Sequence, residues 1–283
     1  MTRVQPHQAR VASGVRLPDL RIVPSGALLL HEACDPARVE RLAKALTADG
    51  VLRNPPIVAP MDAQTFVVLD GANRVTALQQ AGLPHQAVQV VDYDDQAVRL
   101  DVWAHLLQDD GLLVAGDAMV GAQWQTMPPE AVREELEHGT LVCGLVTAAA
   151  ARGLRVAGEF ADRVRALGEV VARYVGRTPI YRVPSADLHA LAEEYGRAAA
   201  LVLFPRFTKA DIRAIARLPV KLPSGISRHI IPQRALRVNV DLALLAGPEP
   251  TAVKQARFDQ VIRARLLEHR VRHYPEPTVL YDE

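Results

Sequence analysis

The chain has 283 residues, 49% of them hydrophobic, and its 33 basic and 32 acidic residues give a formal charge of +1. This balance excludes a strong global field toward nucleic acid or an anionic membrane, and the length allows one large domain or two smaller ones. Cys34 and Cys143 lie far apart, without His or Cys neighbours at ligand spacing, which argues against a disulfide scaffold or a structural zinc site. Residues 1–16 contain no signal-peptide core, and no run approaches the roughly 20 apolar residues of a membrane span. We therefore expect a reduced, cytoplasmic protein.

The first elements of the chain are a short strand and a well-marked helix. Residues 28–30 are three leucines, which predict a buried strand that delivers His31 and Glu32 at its end. Asp35 at the N-cap position and Gly50 beyond the last apolar position predict a helix between them.

A hairpin and a sharp strand-to-helix turn follow. Two β-branched runs, 56–60 and 65–69, are separated by a short polar segment and predict a hairpin. Residues 73–81 have helical spacing and predict a helix directly after the second run. Residues 87–93 predict a further strand, and residues 96–107 predict a helix.

The second half of the chain is also predicted to be mixed. The glycine-rich stretch 109–121 marks the expected domain boundary. Thr208 and Asp211 have the spacing of a capping box before a short helix. The remaining predictions are helices at 130–137, 161–174, 187–200 and 252–269, and strands at 180–183 and 201–204.

The turn between residues 66 and 78 is a candidate anion site. The first turn of a helix leaves backbone N–H groups unpaired and presents the positive end of the helix dipole. Gly71 lets a ligand approach the backbone closely, and Arg74 can offer a forked hydrogen bond to a phosphate oxygen. The alternative is an ordinary Asp-Gly turn with Arg74 on a solvated helix face.

Two further segments carry groups suited to catalysis or substrate binding. Glu32 lies between an apolar run and a helix, where a partly desolvated carboxylate could serve as a general base; the alternative is a helix cap or a surface ion pair. Residues 222–229 gather hydroxyl, guanidinium and imidazole groups beside Gly225, which suits a small zwitterion, or they form a surface connection. Trp103 falls in the predicted apolar helix and is assigned to the core, with one edge able to line a cleft.

In chain order these segments resemble a known fold. A Leu-His-Glu segment, a capped helix, Asn-Pro-Pro-Ile-Val and Leu-Asp-Gly-Ala-Asn-Arg-Val-Thr-Ala-Leu span about residues 20–107 and resemble the ParB/sulfiredoxin-like nucleotide-binding fold. Within that superfamily the chain is most similar to the free L-serine kinases, including the SbnI-like proteins of siderophore biosynthesis. Residues 223–232, 237–239 and 274–283 extend the likeness over most of the chain.

The resemblance implies an α/β (α+β) fold class. A ParB/sulfiredoxin-like nucleotide-binding domain is expected over residues 1–110 and a mixed α/β substrate-binding domain over 111–283. The implied reaction transfers a phosphoryl group from ATP or ADP, with Mg²⁺, to the hydroxyl of free L-serine, giving O-phospho-L-serine; the metal ligands are left open. The resemblance implies that Glu32 is the catalytic base and that Asp70 lies beside the reacting centre. It implies that the phosphates are cradled by Gly71, Ala72, Asn73 and Arg74. It also implies that the amino-acid site is formed by Trp103, Ser227, Arg228 and His229.

Some features depart from the superfamily. Many relatives have histidines where this chain has Ala72 and Asn73, which puts an imidazole contribution at the turn in doubt. Neither residue can act as a sulfiredoxin thiol, so sulfinic-acid repair is not expected. No arginine-rich phosphate box or basic recognition helix is recognised, which disfavours nucleic acid as a partner.

The expected partners are free L-serine and a nucleotide, with no membrane; a homodimer stays open. Two alternatives also stay open. One is a ParB-like nucleotide- or ligand-sensing DNA-binding regulator, and the other is a kinase for a different small hydroxylated acceptor.

Overall fold

The structure is a computed structural model, and it describes residues 17–109, 122–184, 186–196 and 198–274. It contains a five-stranded sheet from the first part of the chain and a six-stranded sheet from the middle part. The described end of the chain returns to pack against the first sheet. The predicted mixed α/β class is confirmed.

The five-stranded sheet consists of β1 (Asp19–Pro24), β2 (Leu28–Leu30), β4 (Ile57–Pro60), β5 (Phe66–Asp70) and β6 (His85–Val90). Their order is β1-β6-β4-β5-β2. β4 and β5 are antiparallel, as the predicted hairpin requires, whereas β2 runs parallel to β5. The predicted strand at 28–30 is confirmed, and the strand predicted at 87–93 lies slightly earlier, at β6.

Two helices accompany this sheet, α1 (Pro36–Asp49) and α2 (Ala72–Gln80). The Asp35 carboxylate caps α1 by accepting hydrogen bonds from Ala37 N at 3.0 Å and Arg38 N at 3.2 Å. Gly50 ends the helix with φ 64°, a left-handed conformation that glycine adopts without steric cost. Both predicted helices are confirmed.

The helix predicted at 96–107 is wrong. This segment forms two strands, β7 (Arg99–Val102) and β8 (Ala104–Leu107), with Trp103 between them. β7 pairs with a strand far along the chain, β14 (Ser227–Ile230), and β8 is buried at every position. Long-range pairing and complete burial therefore override the apolar spacing that suggested a helix.

The six-stranded sheet contains β8 and five later strands, and all its neighbours are antiparallel. Its order is β12-β8-β13-β10-β11-β9. Leu106, Leu145 and Leu154 are among its buried side chains. The later strands are β9 (Ala122–Thr126), β10 (Cys143–Thr147), β11 (Ala151–Val156), β12 (Ile180–Val183) and β13 (Ala200–Leu203).

The accompanying helices are α3 (Pro129–Glu137), α4 (Phe160–Ala172) and α5 (Leu188–Tyr195). All three were predicted, but α5 is shorter than the expected 187–200 because it ends at Gly196, which has φ 76°. Strands β9, β10 and β11 were not predicted. Among the helices of the described ranges, none combines the length and apolar character needed to span a membrane.

The later part of the chain packs on the first sheet. Its elements are α6 (Lys209–Arg217), β14, β15 (Val240–Asp241), α7 (Leu242–Ala246) and α8 (Thr251–Leu267), and β15 pairs with β3 (Val51–Leu52). Thr208 and Asp211 form the predicted capping box, and α8 is the helix expected at the C-terminal end. Gln255 on α8 accepts a hydrogen bond from Ile22 N in β1 at 2.6 Å. The expected boundary at 110/111 and residues 275–283 lie outside the described residues, and the domain division stays a prediction.

Candidate active site

The turn between β5 and α2 is formed by Gly71. Its φ is 94°, and a Cβ at this position would lie 3.0 Å from Arg74 Nη2 and 3.1 Å from Pro56 Cβ, so a side chain would be both strained and crowded. Unlike α1, which Asp35 caps, α2 has no side-chain cap at its N-terminus. The first turn of α2 therefore has the features of an anion site.

Two arginines converge on the carboxylate that precedes this turn. Asp70 Oδ2 accepts hydrogen bonds from Arg74 Nη2 at 2.7 Å and from Arg234 Nη2 at 2.5 Å. Arg74 also donates through Nη1 to the Asn54 carbonyl at 2.5 Å, and its side chain is only 23% exposed. Desolvation lowers the pKa of Arg74, while Asp70 acts in the opposite direction. Arg74 therefore lies packed behind the turn rather than on a solvated helix face.

Glu32 is held by a segment nearly two hundred residues further along the chain. Its Oε2 accepts from Gly225 N at 3.0 Å, and its Oε1 accepts from Ser227 N at 2.8 Å and Ser227 Oγ at 2.7 Å. A backbone bridge between Glu32 and Leu222 joins the two segments. The cap of α1 is Asp35, so Glu32 is not a helix cap but a carboxylate of fixed orientation.

His31 completes this arrangement, and sequence reasoning did not select it. Its ring is buried, with Nδ1 2.7 Å from the Val68 carbonyl and Nε2 2.8 Å from Ser227 Oγ. Because a carbonyl only accepts, Nδ1 carries the hydrogen and Nε2 of the neutral ring accepts from the hydroxyl. Desolvation lowers the pKa of His31, partly offset by Glu32, which favours this neutral form. The single hydrogen of the Ser227 hydroxyl is thus shared between two acceptors, His31 Nε2 and Glu32 Oε1.

Strand alternation in β14 separates the side chains expected to act together. Ser227 contacts Glu32, and His229 Nε2 lies 2.8 Å from the Tyr93 hydroxyl, with its ring 5.3 Å from that of His31. Arg228, between them in sequence, stacks over Trp103 with its guanidinium carbon 4.2 Å from the ring centroid. Burial lowers the pKa of His229 to about 3. Ser227 and His229 therefore lie toward the Glu32 side, and the Arg228–Trp103 pair forms a second cluster.

The six-stranded sheet supports the loop before β14, which contains Ser224 and Gly225, through His105 in β8. Nε2 of His105 donates to the Gly225 carbonyl at 3.3 Å, and Nδ1 lies 2.8 Å from the Tyr174 hydroxyl. Arg182 Nη2 donates to the Ser224 carbonyl at 3.2 Å. Burial lowers the pKa of His105 to about 4, so its ring is neutral at physiological pH. Gly225, which donates to Glu32, is thus fixed from both sides.

Comparisons with known proteins relate the chain as a whole to the serine kinases. The ParB N-terminal domain family matches residues 7–103. The ATP-dependent L-serine kinase SbnI of Staphylococcus aureus is 25% identical over 238 residues, which cover 80% of this chain and 84% of the relative. This chain carries a ParB N-terminal domain and is a homologue of the SbnI-type serine kinases.

Other relatives agree with this assignment. An ATP-dependent L-serine kinase of Staphylothermus marinus is 32% identical over 77 residues, 27% of this chain and 31% of the relative. The structure of C-terminally truncated SbnI from Staphylococcus aureus aligns with a TM-score of 0.69 at 21% identity, covering 87% of this chain and 96% of that chain. A free serine kinase in complex with AMP aligns with a TM-score of 0.70 at 16% identity, covering 86% and 98%. These structural alignments establish the shared fold.

The cavities of this serine-kinase homologue do not by themselves locate the site. One cavity of about 160 Å³ is lined by Trp103, Asp101 and Arg206 among others, and another of about 190 Å³ lies beside Phe160 and Phe207. Glu32 and Gly71 line neither cavity. A helix N-terminus can hold a phosphate in an open groove, so a phosphate site on α2 does not require an enclosed cavity. Within the described ranges, no group of three or more His, Cys, Asp or Glu side chains is placed to bind a metal ion.

The structure brings together part of the predicted site. Glu32 contacts Ser227, Asp70 contacts Arg74, and Trp103 contacts Arg228. The Asn73 side chain accepts a hydrogen bond from Asp35 N at 3.0 Å and so joins the starts of α1 and α2. The catalytic and binding roles of these residues stay predictions.

Proposed function

We propose that this homologue of the serine kinases transfers the γ-phosphoryl group of ATP to the hydroxyl of free L-serine. The observation that supports it best is the parallel pairing of β2 with β5, in which Leu30 lies opposite Val68. The two strands run toward the same edge of the sheet, where Glu32 follows the end of β2 by two residues and Asp70 ends β5 just before the Gly71 turn. Neighbouring strands are about 4.8 Å apart, so a base at Glu32 and a phosphate on α2 would be neighbours.

The nucleotide phosphates are assigned to the first turn of α2. The backbone N–H groups of Ala72, Asn73 and Arg74 belong to the helix start that lacks a side-chain cap. Such groups, with the positive end of the helix dipole, favour a polyphosphate. ATP is chosen as the donor because the homologues are named ATP-dependent, and ADP is the alternative that assays must compare.

Mg²⁺ would arrive with the nucleotide. Magnesium sites in phosphoryl-transfer enzymes commonly use one or two carboxylates together with substrate phosphates. Both arginines bind Oδ2 of Asp70, so Oδ1 would be the oxygen of this carboxylate that is offered to the ion. When bound, Mg²⁺ would neutralise charge on the phosphate oxygens.

Serine would be placed between the nucleotide and the β14 segment. Ser227 and His229 belong to the side of β14 that faces Glu32 and His31, so these two would lie nearest the serine hydroxyl. Arg228 belongs to the second cluster, where it stacks on Trp103, and its guanidinium would be offered to the substrate carboxylate from that side of the strand. These assignments extend the sequence prediction of Trp103, Ser227, Arg228 and His229 as the amino-acid site.

The chemistry of the protein is mainly positioning. Glu32 would accept the hydroxyl proton of serine as the serine oxygen bonds to the γ-phosphorus and the bond to the β,γ-bridging oxygen breaks, releasing ADP. Oε1 of Glu32 already accepts two hydrogen bonds and Oε2 accepts one, so Oε2 has the lone pair open to the substrate. The carboxylate is thus aimed before substrate arrives.

The test is incubation of the purified protein with Mg²⁺, L-serine and either ATP or ADP, followed by detection of O-phosphoserine. Glu32→Gln should reduce kcat by at least about 10²-fold, the lower end for general-base catalysis, while nucleotide affinity stays close to wild type. Failure to form O-phosphoserine with either donor would reject the activity. Salt-dependent duplex binding without turnover would instead favour the DNA-binding regulator. The link to siderophore biosynthesis rests on resemblance alone and stays a prediction.

A further inference from the structure

The arginine closest in sequence to the Gly71 turn is held behind that turn by two hydrogen bonds. Arg74 donates to the Asn54 carbonyl with one terminal nitrogen and to Asp70 with the other. Its guanidinium also packs against the Cα of Gly71, where a Cβ would meet Nη2 at 3.0 Å and Nε at 3.1 Å. Moving this guanidinium outward toward a phosphoryl group would break two hydrogen bonds made in a largely enclosed position. Arg74 is therefore suited to shaping the turn.

Arg234 approaches the same carboxylate from another direction. Its Nη2 lies 2.5 Å from Asp70 Oδ2, the oxygen that Arg74 also uses, and its side chain is 40% exposed. Two positive groups thus share one negative oxygen, leaving an excess of one positive charge beside the start of α2. An incoming anion would be attracted to the more exposed guanidinium.

The loop that carries Arg234 is strained and firmly held. Gln233, Arg237 and Asn239 have φ values of 52°, 53° and 48°, which non-glycine residues rarely adopt. Such conformations cost on the order of 1–3 kcal/mol each and persist where surrounding contacts enforce them, often at functional sites. The loop ends beside Arg53 and Asn54, and Asn54 is also the residue whose carbonyl binds Arg74.

Specific hydrogen bonds enforce this conformation. The Gln89 side chain donates to the Gln233 carbonyl at 3.1 Å and accepts from Ala235 N at 2.8 Å, so it brackets Arg234. The Asn54 side chain accepts from Arg237 N at 2.8 Å, while the Asn54 backbone carbonyl accepts from Arg74. The backbone on both sides of Arg234 is thus fixed to the sheet that carries Asp70, whereas its guanidinium reaches a partly exposed position.

We propose that Arg234 is a further catalytic residue, whose guanidinium exchanges Asp70 for the phosphoryl group in transfer. This proposal rests on the proposed function and deepens it. Charge accumulates on the phosphoryl oxygens in the transition state, and an arginine supplied from the same chain can stabilise it. Because Arg74 remains bonded to the shared oxygen, Asp70 keeps an ion-pair partner when Arg234 leaves. The exchange therefore leaves no carboxylate unpaired.

The experiment compares Arg234→Gln, Arg234→Lys and the matched control Arg237→Gln, which removes an exposed arginine of the same loop. Two readouts are used in the full-length protein with Mg²⁺: kcat for O-phosphoserine formation, and the affinities for ADP and for ADP with aluminium fluoride, which mimics the phosphoryl group in transfer. Arg234→Gln should lower kcat by about 10³-fold, the lower range for arginines acting on phosphoryl transfer. It should weaken the aluminium fluoride complex strongly and ADP alone less than about threefold. Arg234→Lys should retain part of the kcat and part of the aluminium fluoride affinity that Arg234→Gln loses. Arg237→Gln should have the kcat and the affinities of the wild type.

The outcomes separate this proposal from the proposed function. Selective weakening of the aluminium fluoride complex by Arg234→Gln, in a protein that does not phosphorylate serine, would support Arg234 and reject serine as the acceptor. Unchanged kcat and unchanged aluminium fluoride affinity in Arg234→Gln would overturn the Arg234 assignment while the kinase activity stands. Equal weakening of ADP and of its aluminium fluoride complex would also overturn it, because it would show ground-state binding. Thermal unfolding of each variant checks that the loop remains folded.

Discussion

Replacing Ser227 by alanine tests how the proposed base is held. The hydroxyl of Ser227 lies 2.7 Å from Glu32 Oε1 and 2.8 Å from His31 Nε2. Ser227→Ala removes both contacts but keeps the backbone N–H that donates to Glu32 at 2.8 Å. The carboxylate would therefore stay near its place with less restraint, and His31 Nε2 would lose its partner.

The magnitude follows from the charge on the acceptor. A hydrogen bond to a charged group contributes about 1.5–3 kcal/mol. Since about 1.36 kcal/mol corresponds to a factor of ten in rate, full expression of this loss in the transition state lowers kcat by about 10- to 150-fold. We expect the free energy of unfolding to fall by about 1–3 kcal/mol, because a buried imidazole nitrogen is left without a partner.

The assay combines kcat, KM for serine and the free energy of unfolding from urea titration. Ser224→Ala is the matched control, because the contact of Ser224 described above uses its carbonyl and not its hydroxyl. In a Glu32→Gln background, Ser227→Ala should cost less stability, because the acceptor is then neutral. If Ser227→Ala left kcat and stability at wild-type values, or cost the same stability in both backgrounds, Ser227 would not act through the charged carboxylate.

Two further predictions concern the segments around this carboxylate. Burial holds the pKa of His105 at about 4 and of His229 at about 3, against 6.5 for an unperturbed histidine. Below pH 6.5 these two histidines are protonated in the unfolded chain but stay neutral in the folded chain. Their contribution to the free energy of unfolding is therefore fully present above pH 6.5 and is lost as the pH falls toward 4 and then 3. The urea midpoint should therefore fall between pH 7 and pH 4.5, and a constant or rising midpoint would contradict the burial of neutral rings. Gly225→Ala should lower both melting temperature and kcat, because φ is 82° and the new Cβ would lie 2.0 Å from Arg182 Cζ. The left-handed backbone conformation alone costs an alanine about 1–2 kcal/mol. Adding Arg182→Ala to Gly225→Ala should therefore restore only the stability lost to the clash with Arg182. Full recovery of the stability would contradict a cost that comes from the backbone.

The N-terminal fold was predictable where local signals are strong. Asp35 and Gly50 bound α1 by short-range chemistry, and the turn at Gly71 requires a residue that tolerates positive φ. The helix predicted at 96–107 failed because β7 finds its partner in β14, more than 120 residues away, and β8 is enclosed on both faces. Local apolar spacing cannot distinguish a fully buried strand from a helix segment.

The candidate site shows the same division between local and long-range information. Glu32 could be selected from its place after an apolar run, but its contact with Ser227 depends on a pairing that no local pattern reports. His31, beside Glu32, is a buried polar residue whose partners become visible only in the folded chain. Arg234 lies in a loop without regular structure, and its one sequence signal is its position just before the segment 237–239 that carries the family resemblance.

The long-range attachment of Glu32 has a consequence for how this protein could be divided or recombined. Its carboxylate oxygens take their described hydrogen bonds from residues 193 and 195 positions later in the chain. A fragment stopping at residue 109 would include the glutamate and the glycine turn, yet it would lack the groups that orient the glutamate. Grafting that portion onto an unrelated protein would transplant the proposed nucleotide cradle with an unsecured carboxylate, so recombination meant to preserve the proposed phosphoryl transfer must carry Glu32 together with residues 225–227.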